Sequence, residues 1–264
     1  MIKWCLLITL PLAALQTQPW FGPLFQPELR GDAFYLYSPK ADTAFGVRNI
    51  TEQRETLYGS LMITPWFNWS AEVELAVSHT HQRHTTFFDF GRLTARYLLL
   101  NEFEGSPASM TLGTSLTLPS DTSVRCPATY QLDLPTLSFH SAIGKEIFYY
   151  TTWKWRLWAF GACHIPFNGP PHLQGILYAE RNLWDCQFVR FLVDGHMGLG
   201  DRPFNPHQFN GYGPIQTRRI LLGLRYAIRA FWDGDIHVQY QYTVYAKNTG
   251  LETHRLFVGF FYPI

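Results

Sequence analysis

Hydrophobic and polar residues alternate with a period of two along most of this chain, most regularly near its C-terminus. Ile236, Val238, Tyr240, Tyr242, Val244 and Ala246 fall on one side of an extended backbone, and His237, Gln239, Gln241, Thr243, Tyr245 and Lys247 fall on the other. Lys247 to Gly250 reads as a turn. After it, Leu256, Val258, Phe260 and Tyr262 share one side, and Thr253, Arg255, Phe257, Gly259 and Phe261 share the other. The pattern predicts a long hairpin with one bulky, nearly uncharged face and one polar face carrying some aromatics. The polar face suits an enclosed wet space. The apolar face needs either a second sheet or lipid, so a sandwich and a membrane barrel both satisfy it.

The same alternation recurs upstream. Leu57, Gly59, Leu61 and Ile63 oppose Tyr58, Ser60, Met62 and Thr64, and Val73, Leu75 and Val77 interleave with Glu72, Glu74, Ala76 and Ser78. Leu93, Ala95, Tyr97 and Leu99 oppose Arg92, Thr94 and Arg96, while Met110, Leu112, Leu116 and Leu118 oppose Thr111, Gly113, Ser115 and Thr117. Trp153, Trp155, Leu157 and Ala159 alternate with Thr152, Lys154, Arg156 and Trp158, and Val189, Phe191 and Val193 alternate with Arg190, Leu192 and Asp194. Ile220, Leu222, Leu224, Tyr226 and Ile228 oppose Arg219, Leu221, Gly223, Arg225, Ala227 and Arg229, with a strong turn signal at Asp233-Gly234. Leu137–Ile147 and His172–Leu183 are weaker strands, and Pro119–Pro135 and Gly200–Pro214 read as long loops. The sum is about twelve strands, with no convincing amphipathic helix and no fixed-period repeat.

Composition decides between sandwich and barrel. Only 16% of the residues are charged, against about 25% in soluble domains, and 17% are aromatic. The outside of a sandwich would be rich in charge, whereas here the partners of the apolar positions are mostly Ser, Thr, Gly, Gln and Arg. A closed barrel pairs every backbone donor and leaves no edge in lipid, and its interfaces use aromatic girdles. Mean hydropathy of −0.09 and the lack of an apolar run of about 20 residues argue against a helical membrane protein. A net charge of +1, with arginines scattered at strand spacing, argues against nucleic acid as a partner. The predicted fold class is all-β, a single closed antiparallel transmembrane β-barrel.

Three regions follow. Residues 1–16 resemble a secretory signal, with Lys3 ahead of an apolar run from Trp4 to Leu15. Residues 17–51 form a Pro- and aromatic-rich arm, including Gln18-Pro19-Trp20-Phe21-Gly22-Pro23 and Pro27, with a possible first strand at Ala33–Tyr37. Prolines lack a donor and resist strand pairing, so the arm is either a periplasmic extension or an inserted plug. Residues 52–264 form the barrel.

The search for chemistry is sparse. Cys5 lies in the leader, and Cys126, Cys163 and Cys186 show neither CxxC nor metal-ligand spacing. His79, His81 and His84 sit in a polar reversal without a nearby carboxylate or thiolate in sequence. No nucleophile elbow occurs, and His140 and Ser141, adjacent on a strand, face opposite sides. No enzymatic activity, catalytic residue, cofactor or metal is expected.

The last strand, with Leu256, Val258, Phe260 and Tyr262 alternating up to a near-terminal aromatic, resembles the end of a bacterial outer-membrane β-barrel of the general porin or transporter kind. Pro263 and Ile264 follow the aromatic and depart from that pattern. The resemblance implies the bacterial outer membrane as location, with the lipid bilayer, the barrel assembly machinery and small solutes as partners. With the apolar faces outside, the lumen receives Glu72, Glu74, Arg92, Arg96, Lys154, Arg156, Arg190, Asp194, Arg219, Arg225, Arg229, His237 and Arg255. This basic lining implies a small-solute pore with mild anion preference. Two alternatives compete: a structural barrel without an open pore, its arginines paired with Glu72, Glu74 and Asp194, and a soluble secreted all-β binding protein. Export predicts signal removal near Ala14–Gln16; N-terminal sequencing of the mature product should start there, and intact Met1 in the membrane fraction would reject the leader.

Overall fold

In a computed structural model, residues 17–82, 84–129, 131–132, 135–150, 152–230 and 234–264 are described. The signal-like residues 1–16 and Asp233 of the expected turn lie outside the described residues. The strands are β1 (Glu28–Ser38), β2 (Lys40–Thr43), β3 (Gly46–Arg48), β4 (Glu52–Trp66), β5 (Trp69–Thr80), β6 (Thr85–Leu100), β7 (Ser109–Pro119) and β8 (Thr136–Tyr149). They continue with β9 (Thr152–Pro166), β10 (His172–Asn182), β11 (Gln187–Gly198), β12 (Arg218–Ala230), β13 (Gly234–Lys247), β14 (Gly250–Leu251) and β15 (His254–Pro263). Twelve of them form one closed antiparallel barrel, sealed by β1 against β15 from Glu28↔Pro263 to Tyr37↔His254. The short β14, β2 and β3 form a small sheet at one rim.

Both ends of the described chain, and turns such as Phe67-Asn68, lie at what we term the proximal end of the barrel. The loops 120–135 and 199–217 rise from the other, distal end. Outside, Val73, Leu75, Leu224, Val238, Leu256 and Val258 are each about half exposed, in a belt that would be a very large apolar patch in water. Trp66, Trp69, Tyr97, Trp155, Trp184 and Tyr262 edge that belt proximally. Tyr37, Tyr242 and Tyr245 edge it distally, near His254, which shares a 2.7 Å hydrogen bond with Tyr240. Two aromatic girdles around an apolar band are what a bilayer with two polar interfaces selects. Inside, the usual core is inverted: Glu72, Glu74, Arg96, Asp89 and Glu180 are buried, while most large aliphatics face out.

Two side-chain phases differ from the sequence expectation, and both sit at irregular pairings. Ile220 pairs with Tyr245 but Leu221 pairs with Thr243, so Val244 is an extra residue. Beyond that bulge Ala246 pairs with inward Arg219 and Lys247 with outward Arg218, the reverse of the assignment from alternation alone. At the proximal end of β9 the register shifts between Ile147 and Phe148. Trp153, expected on the apolar face, instead stacks on inward Phe188 at 5.4 Å and lies 4.0 Å from the Arg156 guanidinium.

Closure is reinforced across β15. Asp32, Gly259 and His237 share one row of β1, β15 and β13, and the Asp32 carboxylate reaches His237 Nε2 at 2.6 Å over the intervening strand. Only a glycine permits this: a Cβ on residue 259 would lie 1.9 Å from Asp32 Oδ1 and 2.3 Å from the Gly31 carbonyl oxygen. We expect Gly259→Ala to cost roughly 2–4 kcal/mol, because a buried pair is broken and backbone must move; urea unfolding in vesicles reads this, and a loss within error would refute the role given to the glycine. On the outer face, Leu224, 55% exposed, tests the lipid assignment. Leu224→Arg should destabilise the barrel by roughly 2–4 kcal/mol in a bilayer if the site is near the midplane, and an unchanged folding free energy at a verified midplane depth would count against the assigned face.

Candidate functional site: the barrel lumen

The inner wall is organised in cross-strand rows, because residues directly opposite on antiparallel strands share a face. In one row Glu146 (β8), Arg156 (β9), Glu180 (β10), Arg190 (β11) and Arg225 (β12) follow one another around the wall. Arg156 bonds Glu146 at 2.5 Å, Arg190 bonds Glu180 at 3.0 Å, and Arg225 bonds Asp235 at 3.1 Å. Aromatic faces complete the cradle: the Arg190 guanidinium lies 4.9 Å from the Trp158 ring centre. A guanidinium satisfied by a carboxylate at its edge and a ring at its face is held in one geometry.

The facing wall carries a second group. Arg92 pairs with Glu74 at 3.3 Å and donates through Nε to Thr117, while Tyr58 donates to Glu74 at 2.9 Å and Ser60 to Glu72 at 2.8 Å. Arg96 donates to the Gln18 carbonyl at 3.2 Å and contacts the Met62 sulfur. Further towards the distal end, Ser138, His164, Gln174, Asp194 and His196 form a hydrogen-bonded chain along β8 to β11, with steps of 2.8 to 3.2 Å. Asp89 accepts from Arg54, Ser78, Gln131 and Ser123, and so pins the short helix α1 (Asp121–Val124) and its loop to the wall.

Most lumen residues expected from the sequence lie on this inner face; Lys154, the extra residue at the register shift in β9, instead reaches Asp185 in the proximal turn at 3.4 Å. Arg219 stands opposite His196, Arg255 opposite Gln241, and His237 on Asp32. Arg229 is exposed at the proximal rim, 5.6 Å from the Phe188 ring. The ion-pair partners include one of those expected and others that were not. Glu74 pairs with Arg92, Asp194 pairs with His196, and Glu72 accepts a hydrogen bond from Ser60. The carboxylates that hold Arg156, Arg190 and Arg225 are Glu146, Glu180 and Asp235, none anticipated. Outside the lumen, His79 shares a hydrogen bond with Thr86 at 2.9 Å and His81 with Glu55 at 3.1 Å at the distal rim.

The N-terminal arm occupies the proximal lumen. Pro19 is fully buried, and a Cβ on Gly144 would lie 2.9 Å from it. Trp20 donates to Glu102 at 2.7 Å and packs edge-on against Trp158 at 5.8 Å. Phe21 lies under the Arg96 guanidinium at 5.0 Å, and Thr17 hydrogen-bonds Tyr178. The arm therefore touches β6 on one wall and β8, β9 and β10 on the other.

At the distal end three loops meet. They rise from the seams β4/β1, β12/β11 and β8/β7, which the strand order places four strands apart around the circle. Ala44 N–H donates to the Phe204 carbonyl, and Tyr212 donates to the Pro127 carbonyl through its hydroxyl and to the Gln131 carbonyl through its backbone. Ala41, Phe204, Tyr212 and Ile215 are buried together against Ile50, Leu132 and Phe209. Loops rooted a third of the circumference apart can share one apolar cluster only by arching over the mouth.

No family model and no curated protein matches this chain. Among solved structures it is similar to a COG4313 outer membrane channel from Pseudomonas putida F1, at 11% identity and a TM-score of 0.66, covering 96% of this chain and 100% of that one. It is also similar to the NanC porin, at 9% identity and a TM-score of 0.54, covering 89% and 98%. At such identities the likeness is one of fold.

Proposed function

We propose that this chain is an outer-membrane pore for small solutes, with mild anion preference and an N-terminal segment that occludes its periplasmic end. The observation that carries this reading is the inversion of the barrel: an uncharged apolar belt around an interior of ion pairs, arginines and hydroxyls. Charge that faces a water-filled lumen needs no burial in hydrocarbon and biases which ions enter. The short proximal turns support a periplasmic position for that end, and the longer distal loops support one outside the cell. The similar fold of an outer membrane channel and of a porin supports the same placement. Assembly through the barrel assembly machinery, guided by β15, belongs to this reading. It includes no catalytic step.

Carboxylates beside Arg92, Arg156, Arg190 and Arg225 offset part of the basic charge, which is why the preference is mild. A second reading, a closed structural barrel, is favoured by the arm at one end and the arched loops at the other. Planar-bilayer conductance separates the two. The full chain should conduct weakly, and deletion of residues 17–25 should raise conductance severalfold. A folded, arm-deleted barrel that passes no ions would leave the structural barrel. In a salt gradient the reversal potential of the pore should favour anions, and added salt should screen that preference. Arg225→Gln with Arg229→Gln should reduce it, since the first change also releases the negative charge of Asp235; cation preference in the parent protein would overturn the charge assignment.

A further inference from the structure

Arg218 and Lys247 stand directly opposite one another at the distal ends of β12 and β13. Both side chains are exposed and face outwards, because the bulge at Val244 brings Lys247 into step with Arg218. Just below them on the outer face lie Ile220 and Tyr245, where the apolar belt begins, and Met197 stands beside Arg218 on β11. The pair therefore sits at the border between apolar belt and distal loops.

Like charges opposite one another on neighbouring strands, about 4.8 Å apart, repel and destabilise the pairing. Among the described residues neither forms an ion pair with a carboxylate; of the nearby acids, Glu252 and Asp42 are engaged elsewhere, and Asp201, on the loop that leads into β12, is exposed and pairs with neither cation. Glu252 is held by Lys40 at 2.9 Å, and Asp42 accepts the Asn248 N–H at 2.9 Å. Outward cations at the proximal rim are different: Lys145 donates to the Pro107 carbonyl at 2.6 Å, and Arg181 lies over the Trp155 ring at 5.2 Å. The distal pair is thus a doubly cationic site at the level where a bilayer carries its phosphates. A guanidinium fork beside a mobile ammonium matches a phosphate oxyanion, which relieves the repulsion between the two cations.

We propose that Arg218 and Lys247 clamp the phosphate of a lipid in the outer leaflet. This rests on the reading that the distal end faces outside the cell. Native mass spectrometry of the full chain in detergent, with bisphosphorylated lipid A as probe, tests it. The parent protein and an Arg181→Gln control should retain the lipid, and the Arg218→Gln/Lys247→Gln double variant should bind it about tenfold more weakly or worse. Dephosphorylated lipid A should not be retained, and inorganic phosphate at the same concentration should not displace the lipid. Equal retention by the double variant, or of the dephosphorylated lipid, would overturn the clamp. Displacement by inorganic phosphate would make it a site for soluble anions instead. Heat-modifiable gel migration reports that the variants are folded. Conductance tests the pore reading separately, so a conducting barrel without lipid retention would fail the clamp alone.

Discussion

Backbone hydrogen bonds without water set the terms for this molecule. In hydrocarbon an unpaired N–H or C=O costs several kcal/mol, so a sheet there must close on itself. Pairing of β1 with β15 over ten residue pairs, Glu28↔Pro263 to Tyr37↔His254, meets that demand. Most of the remaining architecture follows from closure. Once the sheet is a tube, each strand has one face towards lipid and one towards an enclosed space, and side-chain chemistry sorts itself accordingly. The Asp32–His237 contact across Gly259 ties the strands on either side of β15, so the last strand is held by its backbone and bridged over its inner face.

The interior shows what an enclosed polar face requires of charged residues. Arginines packed along a wall cannot each rely on bulk water, and here they meet carboxylates one strand away and aromatic rings at their faces. Breaking one partner would leave the other exposed to its neighbours in a confined space, which costs more than breaking a surface pair. The ladder of Glu146, Arg156, Glu180 and Arg190 therefore stiffens four consecutive strands while it tunes the lumen potential.

Much of this was legible in the alternation, and the misses have physical causes. The outward run of Leu256, Val258, Phe260 and Tyr262 and the inward run of Arg92, Thr94 and Arg96 need only a period of two. Glu146 could have been read from the outward run of Leu137, Phe139, Ile143 and Ile147 on β8, but Glu180 was harder to place, because β10 presents the small Gly175 and Ala179 outwards. These dilute the hydrophobic signal that sets the phase. Asp235 sits beside a turn, where phase is undefined. Trp153 and Ala246 lie beyond irregular pairings, and a bulge reverses every assignment after it. The sequence left the arm between a periplasmic extension and an inserted plug, because what holds Pro19, Trp20 and Phe21 are residues distant in sequence.

That arm can also be viewed as a tethered ligand. It is joined to β1 by only Gly22 to Pro27, so its concentration at its own site is that of a group on a short leash, on the order of millimolar. Any solute that shares the proximal lumen competes with an intramolecular rival whose concentration never falls by dilution. In the proposed pore, occupancy of the passage would then depend on the solute level relative to that fixed value. The barrel would sense abundance through competition alone, without a second conformation of its wall.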